Sequence, residues 1–107
     1  MDFISVGYGN IINIDRLIAI MSSSSAPAKR IINEARTNGL CIDTTMGRRT
    51  KAIIIMDSAH VVLSALHVAT LSQRIQAVKN GNAEALADDK LDEEQGDEDG
   101  DEEEEDD

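Results

Sequence analysis

Apolar residues form short runs along the N-terminal part of the chain, and the first run predicts a β-hairpin. Phe3 to Val6 are strand-forming residues, and they end at Gly7-Tyr8-Gly9-Asn10, whose glycines and asparagine tolerate the positive φ angles of a tight turn. Ile11-Ile12 and then Leu17 to Met21 are apolar again. We therefore expect the second strand to continue to Met21, with a kink near Asp15.

A serine cluster followed by a proline predicts the start of a helix. Ser22 to Ser25 precede Pro27; serine can cap free N–H groups at a helix start, where proline has no N–H to lose. Apolar residues then recur with the i, i+3, i+4, i+7 spacing of a helix that buries one face, at Ala28, Ile31, Ile32 and Ala35. We expect this helix to run from about Ala26 to Asn38 and to end at Gly39.

The remaining apolar runs predict three strands and a closing helix. Leu40 to Ile42 predicts a short strand, and Ala52 to Met56 with Val61 to Leu66 predicts a second hairpin. The run Ala52 to Met56 lacks alternation, which predicts cover on both faces, by the helix on one side or by a neighbouring subunit on the other. Residues 68–78 have helical apolar spacing. The sequence thus predicts an α+β fold, a small domain of about five mostly antiparallel strands with two helices.

The charge divides the chain into two parts. The formal net charge is −11, yet residues 1–80 hold nine Lys or Arg against five acids, a net +4. Residues 81–107 hold sixteen acids and one lysine. A segment with so many acids and so few apolar residues is typical of a disordered region. We therefore expect one folded domain over residues 1–80 and a disordered acidic tail over residues 81–107.

Several kinds of protein are disfavoured by the composition. Cys41 is the only cysteine, so no intrachain disulfide or cysteine-based zinc site can form, which agrees with a reducing cytoplasm. The apolar runs are far shorter than the ~20 residues of a membrane span, so we expect a cytoplasmic protein without a membrane partner.

Catalytic and metal chemistry are disfavoured as well. Asp57, Ser58 and His60 are the residue types of a hydrolase triad, but we expect residues of one tight turn to point in different directions, and a triad is normally assembled from separated segments. The odd separation of His60 and His67 points them to opposite faces of a regular strand. We expect no enzymatic activity, no cofactor, no metal and no small-molecule substrate.

The remaining chemistry is a cluster of cations directly after Gly47, formed by Arg48, Arg49 and Lys51. Guanidinium groups present forked donors that match phosphate oxygens and guanine edges. A solvated charge cluster is the alternative reading. Four further cations favour nucleic-acid binding if folding or oligomerisation gathers them on one face: Arg16, Lys29, Arg30 and Arg36.

Longer stretches of the sequence resemble one family of bacterial proteins. The matching segments are IxVGYGNIIN from Ile4, SSAPAKRIINEAR from Ser24, and TxGRRTKAIIIMDSxHVVLSA, which ends at Ala65. Over roughly residues 3 to 76 the chain resembles the RemA family, the extracellular matrix regulatory proteins. The resemblance implies a DNA-binding transcriptional regulator of biofilm matrix genes, which forms ring-like homo-oligomers and presents arginines to double-stranded DNA.

The resemblance also implies roles for particular residues. The functional arginine of the family's second strand corresponds to Arg16, and its arginine pair corresponds to Arg48 and Arg49. The sensitive proline at the helix start corresponds to Pro27, for which we expect a structural part in positioning the helix. Ala59 departs from the family, since an acid is usual there, and the acidic tail is longer than in the family.

Two hypotheses follow. In the first, the chain regulates transcription as a homo-oligomer that contacts DNA through Arg16, Arg48, Arg49 and Lys51, with the acidic tail restraining binding by competing for the basic face. In the second, it is an oligomeric scaffold that binds a protein partner and no DNA. Affinity for duplex DNA that falls with salt distinguishes the first hypothesis.

Overall fold

The computed structural model describes residues 2–81, and the predicted α+β class is confirmed. Except for Gly81, the predicted acidic tail lies outside the described residues. Neither helix of residues 2–81 has the length and apolar character needed to cross a bilayer. The strands and helices are β1 (Phe3–Gly7), β2 (Asn10–Asn13), β3 (Leu17–Ser22), α1 (Ala26–Thr37), β4 (Cys41–Asp43), β5 (Ala52–Met56), β6 (Val61–Ser64) and α2 (Val68–Lys79).

The N-terminal hairpin forms as predicted, but its second strand is shorter than expected. β1 pairs antiparallel with β2, which ends at Asn13. A one-turn 3-10 helix follows at Ile14–Arg16, where the Asn13 side chain accepts a hydrogen bond from the Asp15 N–H at 2.9 Å. β3 then joins a different sheet. The prediction of one strand to Met21 was wrong because this capped turn, at the predicted kink, separates two strands with different partners.

The main sheet has four strands in the order β3-β5-β6-β4. The pairs β3–β5 and β5–β6 are antiparallel, and β4–β6 is parallel. α1 starts as predicted, since the Ser25 hydroxyl accepts a hydrogen bond from the Ala28 N–H at 3.2 Å. It also ends as predicted: Gly39 has a φ of 73°, and the Leu40 N–H donates to the Ala35 carbonyl at 2.8 Å, as in a Schellman motif.

β5 lies at the centre of the fold and is covered on both faces, as its uninterrupted apolar run predicted. Ile54 packs in a cluster with Val6 of β1 and Leu71 of α2. Its neighbour Ile53 points the other way, into a cluster with Ala28 of α1. Within this one chain, α1 therefore covers one face of β5, and the N-terminal hairpin together with α2 covers the other.

Candidate nucleic-acid interface

The predicted arginine pair lies on the loop between β4 and β5, which a tight turn shapes. The Arg48 N–H donates to the Thr45 carbonyl at 2.9 Å. The two residues between them have positive φ angles, 54° at Met46 and 81° at Gly47, as in a type I′ turn. Met46 is thereby strained and lies 73% exposed beside the arginines.

The start of this loop is held by an ionised carboxylate. Asp43 Oδ1 accepts hydrogen bonds from the Thr45 N–H at 2.8 Å and from its hydroxyl at 2.6 Å. The bond from the Thr45 hydroxyl is the largest cause that holds the pKa of Asp43 below its ordinary value, and the positive charge of Arg36 also contributes. The neighbouring residue Thr44 attaches the start of the loop to β6, because its Oγ1 donates a hydrogen bond to the Leu63 carbonyl at 2.7 Å.

The three predicted cations of the loop differ in exposure. Arg48 is exposed, Arg49 is half-buried, and Lys51 is only 4% exposed. The backbone of Lys51 is held on both sides, because its N–H donates to the Ser64 carbonyl at 2.9 Å and its carbonyl accepts from the Ser23 N–H at 3.1 Å. Lys51 is nevertheless one of the residues that line a cavity on this surface.

That cavity, which we call the basic cup, has a volume of about 480 Å³. It is lined by Ser22, Ser23, Ser24, Lys29, Ile32, Asn33, Arg36, Arg49, Thr50, Lys51 and His67. No Asp or Glu of the described residues is among them. Folding thus gathers two cations of α1, Lys29 and Arg36, with two from the loop. Sequence reasoning missed the cup residues Asn33 and His67; the helical spacing of Lys29, Asn33 and Arg36 was the one available signal for such a face.

Arg16, the fourth predicted site residue, lies at the opposite end of the sheet. In the β3–β5 pair, Leu17 faces Met56 and Ser22 faces Ala52. Five residue steps along a strand correspond to roughly 16 Å, so Arg16 and the cup are about that far apart within the chain. Arg16 Nε lies 3.4 Å from Asp57 Oδ2, in an exposed ion pair.

The other candidate chemistry lies away from the basic cup. Ser58 Oγ is 2.7 Å from His60 Nδ1, so these turn residues meet, and the expectation that they diverge was wrong. Asp57 faces Arg16 instead, so the three residues do not form a chain of contacts. His67 lies in the cup, at the other end of β6 from His60. Residues 2–81 contain no group of three potential metal ligands.

The curated relatives of this chain are regulatory proteins by description. A protein of Carboxydothermus hydrogenoformans is 54% identical over 78 residues, which cover 73% of this chain and 90% of the relative. One from Acetivibrio thermocellus is 45% identical over 93 residues, covering 87% of this chain and all of the relative. Both carry the description "Putative regulatory protein".

The family comparison covers the part of the chain that forms the two sheets and most of α2. The model of the RemA-like family, described as extracellular matrix regulatory protein A-like, matches residues 3–75. These residues include the arginine loop and every residue that lines the basic cup. The chain therefore belongs to the RemA-like family.

Proposed function

We propose that this chain is a cytoplasmic, non-enzymatic transcriptional regulator that binds double-stranded DNA as a homo-oligomer. The observation that carries the proposal is the basic cup, where four cations meet without a described acid among the lining residues. A concave surface of one charge sign concentrates the opposite charge. The description of the relatives as regulatory proteins supports the same function.

The exposures of the cations suggest a division of roles. Arg48 is exposed at the end of the loop and can reach a base edge or a phosphate, whereas half-buried Arg49 and the cup suit phosphate oxygens. Phosphate contacts supply most of the affinity and make it depend on salt. Lys51 adds to the field of the cup from below the surface.

Self-association is supported by the two edges of the main sheet. β3 and β4 are the outer strands, and an edge strand presents unpaired backbone groups to a neighbouring chain. Each edge also carries an exposed isoleucine, Ile18 on β3 at 63% and Ile42 on β4 at 46%. A contact between β3 of one copy and β4 of the next joins two different surfaces, and such contacts form rings when the rotation closes.

Duplex-DNA binding by the full-length chain tests the proposal. Fluorescence anisotropy at several salt concentrations should give an affinity that falls with salt, by about 0.9 in log affinity per log salt for each neutralised phosphate. Arg48→Ala and Arg49→Ala should each weaken binding by ~1–3 kcal/mol if a base contact is lost, or reduce the salt slope if a phosphate contact is lost. Oligomer mass should stay unchanged.

Arg30→Ala is the matched control, since Arg30 lies on α1 but does not line the cup. It should retain most of the affinity. Salt-independent or absent binding to duplex DNA, by a chain that still assembles, would reject the DNA-binding function in favour of the scaffold that binds a protein partner.

A further inference from the structure

The basic cup and the acidic segment at residues 82–107 are complementary in charge, and the structure gives the position from which that segment starts. The cup collects Lys29, Arg36, Arg49 and Lys51 in one cavity, and a concave surface lined by cations attracts an anion. Residues 97–107 hold ten acids in eleven positions. We propose that the cup is a docking site for this chain's own residues 82–107.

The geometry of α2 sets the distance that the segment must cross. His67 lines the cup and is also the N-cap of α2. The twelve residues of α2 end at Lys79, and a helix of that length spans about 18 Å. The last described residue, Gly81, therefore lies roughly 20 Å from His67 at the edge of the cup, given the ~1.5 Å rise per residue of the helix.

The length of the acidic segment matches this distance. Residues 82–96 lie between Gly81 and the most acidic block, and a coil of that length has a root-mean-square span of roughly 20 Å. The linker therefore matches the distance between Gly81 and the cup. At such a match, a short linker gives the acidic block at residues 97–107 an effective concentration at the cup in the millimolar range.

The donors in the cup suit carboxylates. Guanidinium groups bind carboxylates in a bidentate manner, and Arg36 and Arg49 both line the cavity. Ser22 and Asn33 add neutral polar groups to the lining of the same cavity. A run of adjacent acids in an extended chain presents one charge per ~3.5 Å, a density comparable with one strand of a DNA duplex. The docked segment therefore occupies the surface that the proposed function assigns to DNA, and DNA must displace it.

Zero-length carbodiimide cross-linking of the full-length chain, followed by mass spectrometry, tests the contact without DNA. Lys29 should form amide cross-links to residues 82–107 at about 0.01 M salt, where the Debye length is ~30 Å, and lose them at about 1 M, where it is ~3 Å. Lys79 is the internal reference because it lies at the end of α2, next to the segment.

Two charge-matched variants on α1 distinguish docking in the cup from general attraction. Arg36→Gln removes a cup cation and should lower the yield of Lys29 cross-links relative to Lys79 by ~2- to 5-fold, which corresponds to ~0.5–1 kcal/mol. Arg30→Gln removes the same charge outside the cup and should leave the ratio unchanged. Equal losses in both variants, or a Lys29 without cross-links at low salt, would overturn the proposal.

A DNA-binding measurement distinguishes the docking from the proposed function. The docking itself does not require DNA binding; only its regulatory consequence, competition with DNA, rests on the proposed function. Replacing the acids of residues 97–107 by Asn and Gln in the full-length chain should tighten duplex binding by about tenfold or more at low salt, and less as salt rises. If Lys29 forms the cross-links but the chain does not bind DNA, the docking is supported and only the DNA-binding function is rejected. Unchanged affinity in a DNA-binding chain would overturn the competition between the acidic segment and DNA at the cup.

Discussion

Ser64→Ala tests how the N-terminal hairpin is attached to the main sheet. The hydroxyl of Ser64 is fully buried and makes two hydrogen bonds. It donates to the Val6 carbonyl at 2.9 Å and accepts from the Leu66 N–H at 3.0 Å. Val6 and Leu66 are themselves buried, so water cannot readily replace the lost partner. Alanine therefore leaves two backbone groups without the bonds that they have in the native chain.

The expected loss of stability follows from the Val6 carbonyl and the Leu66 N–H, which lose their hydrogen-bond partner. A buried backbone group that loses its partner costs ~1–3 kcal/mol, so the loss of two partners should lower the free energy of unfolding by about 2–6 kcal/mol in total. A domain of eighty residues has a stability of ~4–12 kcal/mol. For a domain of this size, each kcal/mol shifts the melting temperature by ~4–8 °C. The variant should therefore melt at least ~8 °C lower.

Urea unfolding followed by circular dichroism measures the loss. Native and variant chains are compared at one protomer concentration, because association changes apparent stability. Ser72→Ala is the control, since Ser72 is exposed on α2, and it should change stability by less than ~0.5 kcal/mol. A loss under ~1 kcal/mol for Ser64→Ala, with an unchanged denaturant slope, would refute the view that this hydroxyl attaches the hairpin to the sheet.

Three further outcomes are expected. Asp57→Asn should lower the free energy of unfolding by less than ~1 kcal/mol in urea, because its ion pair with Arg16 is exposed; a larger loss would mean that the pair is structural. The folded pKa of Asp43 is lowered, so its stabilisation is present above the unfolded value of ~3.9 and is lost as pH falls through the folded pKa. Asp43→Asn should therefore lose less stability than the native chain on acidification, and equal acid profiles would contradict this. Met46→Asn should raise the free energy of unfolding by up to ~1 kcal/mol, and with it the melting temperature, since Asn tolerates the positive φ of this position. A lower melting temperature would show instead that the Met46 side chain makes stabilising contacts.

The elements that the sequence predicted well are those defined by local signals. α1 begins at Ala26, next to the Ser25 cap, and ends before Gly39, because capping and positive φ depend on a few adjacent residues. The hairpin of β5 and β6 follows in the same way from two apolar runs and the turn between them. Such signals do not require knowledge of any distant part of the chain.

Strand partners were less predictable, since they depend on residues far apart in sequence. The parallel pairing of β4 with β6 joins Cys41 to Val61, and nothing within the run around Cys41 indicates it. The separation of β2 from β3 depends on the Asn13 side chain and on the partner that each strand finds. Apolar periodicity predicts that a strand exists but not which strand lies beside it.

The candidate site shows the same limit. The cluster of Arg48, Arg49 and Lys51 is contiguous and visible in the sequence, but the cup needs α1 to pack against the sheet so that Lys29 and Arg36 approach the loop. The near-complete burial of Lys51 was also not predictable from the sequence, since lysine is usually exposed.

The position of Arg16 becomes understandable when several copies are considered. If copies join through β3 and β4, four strands at ~4.8 Å spacing repeat the basic cup about every 19 Å along the assembly. Arg16 then forms a second row, roughly 16 Å from the cups and parallel to them. This separation is of the same order as the ~12 Å width of the major groove, so under the proposed DNA-binding function the two rows would face the two strands of one duplex. Under the proposed DNA-binding function, one copy presents only one position in each row, so we expect a single copy to bind DNA weakly, since multivalent contact supplies the avidity.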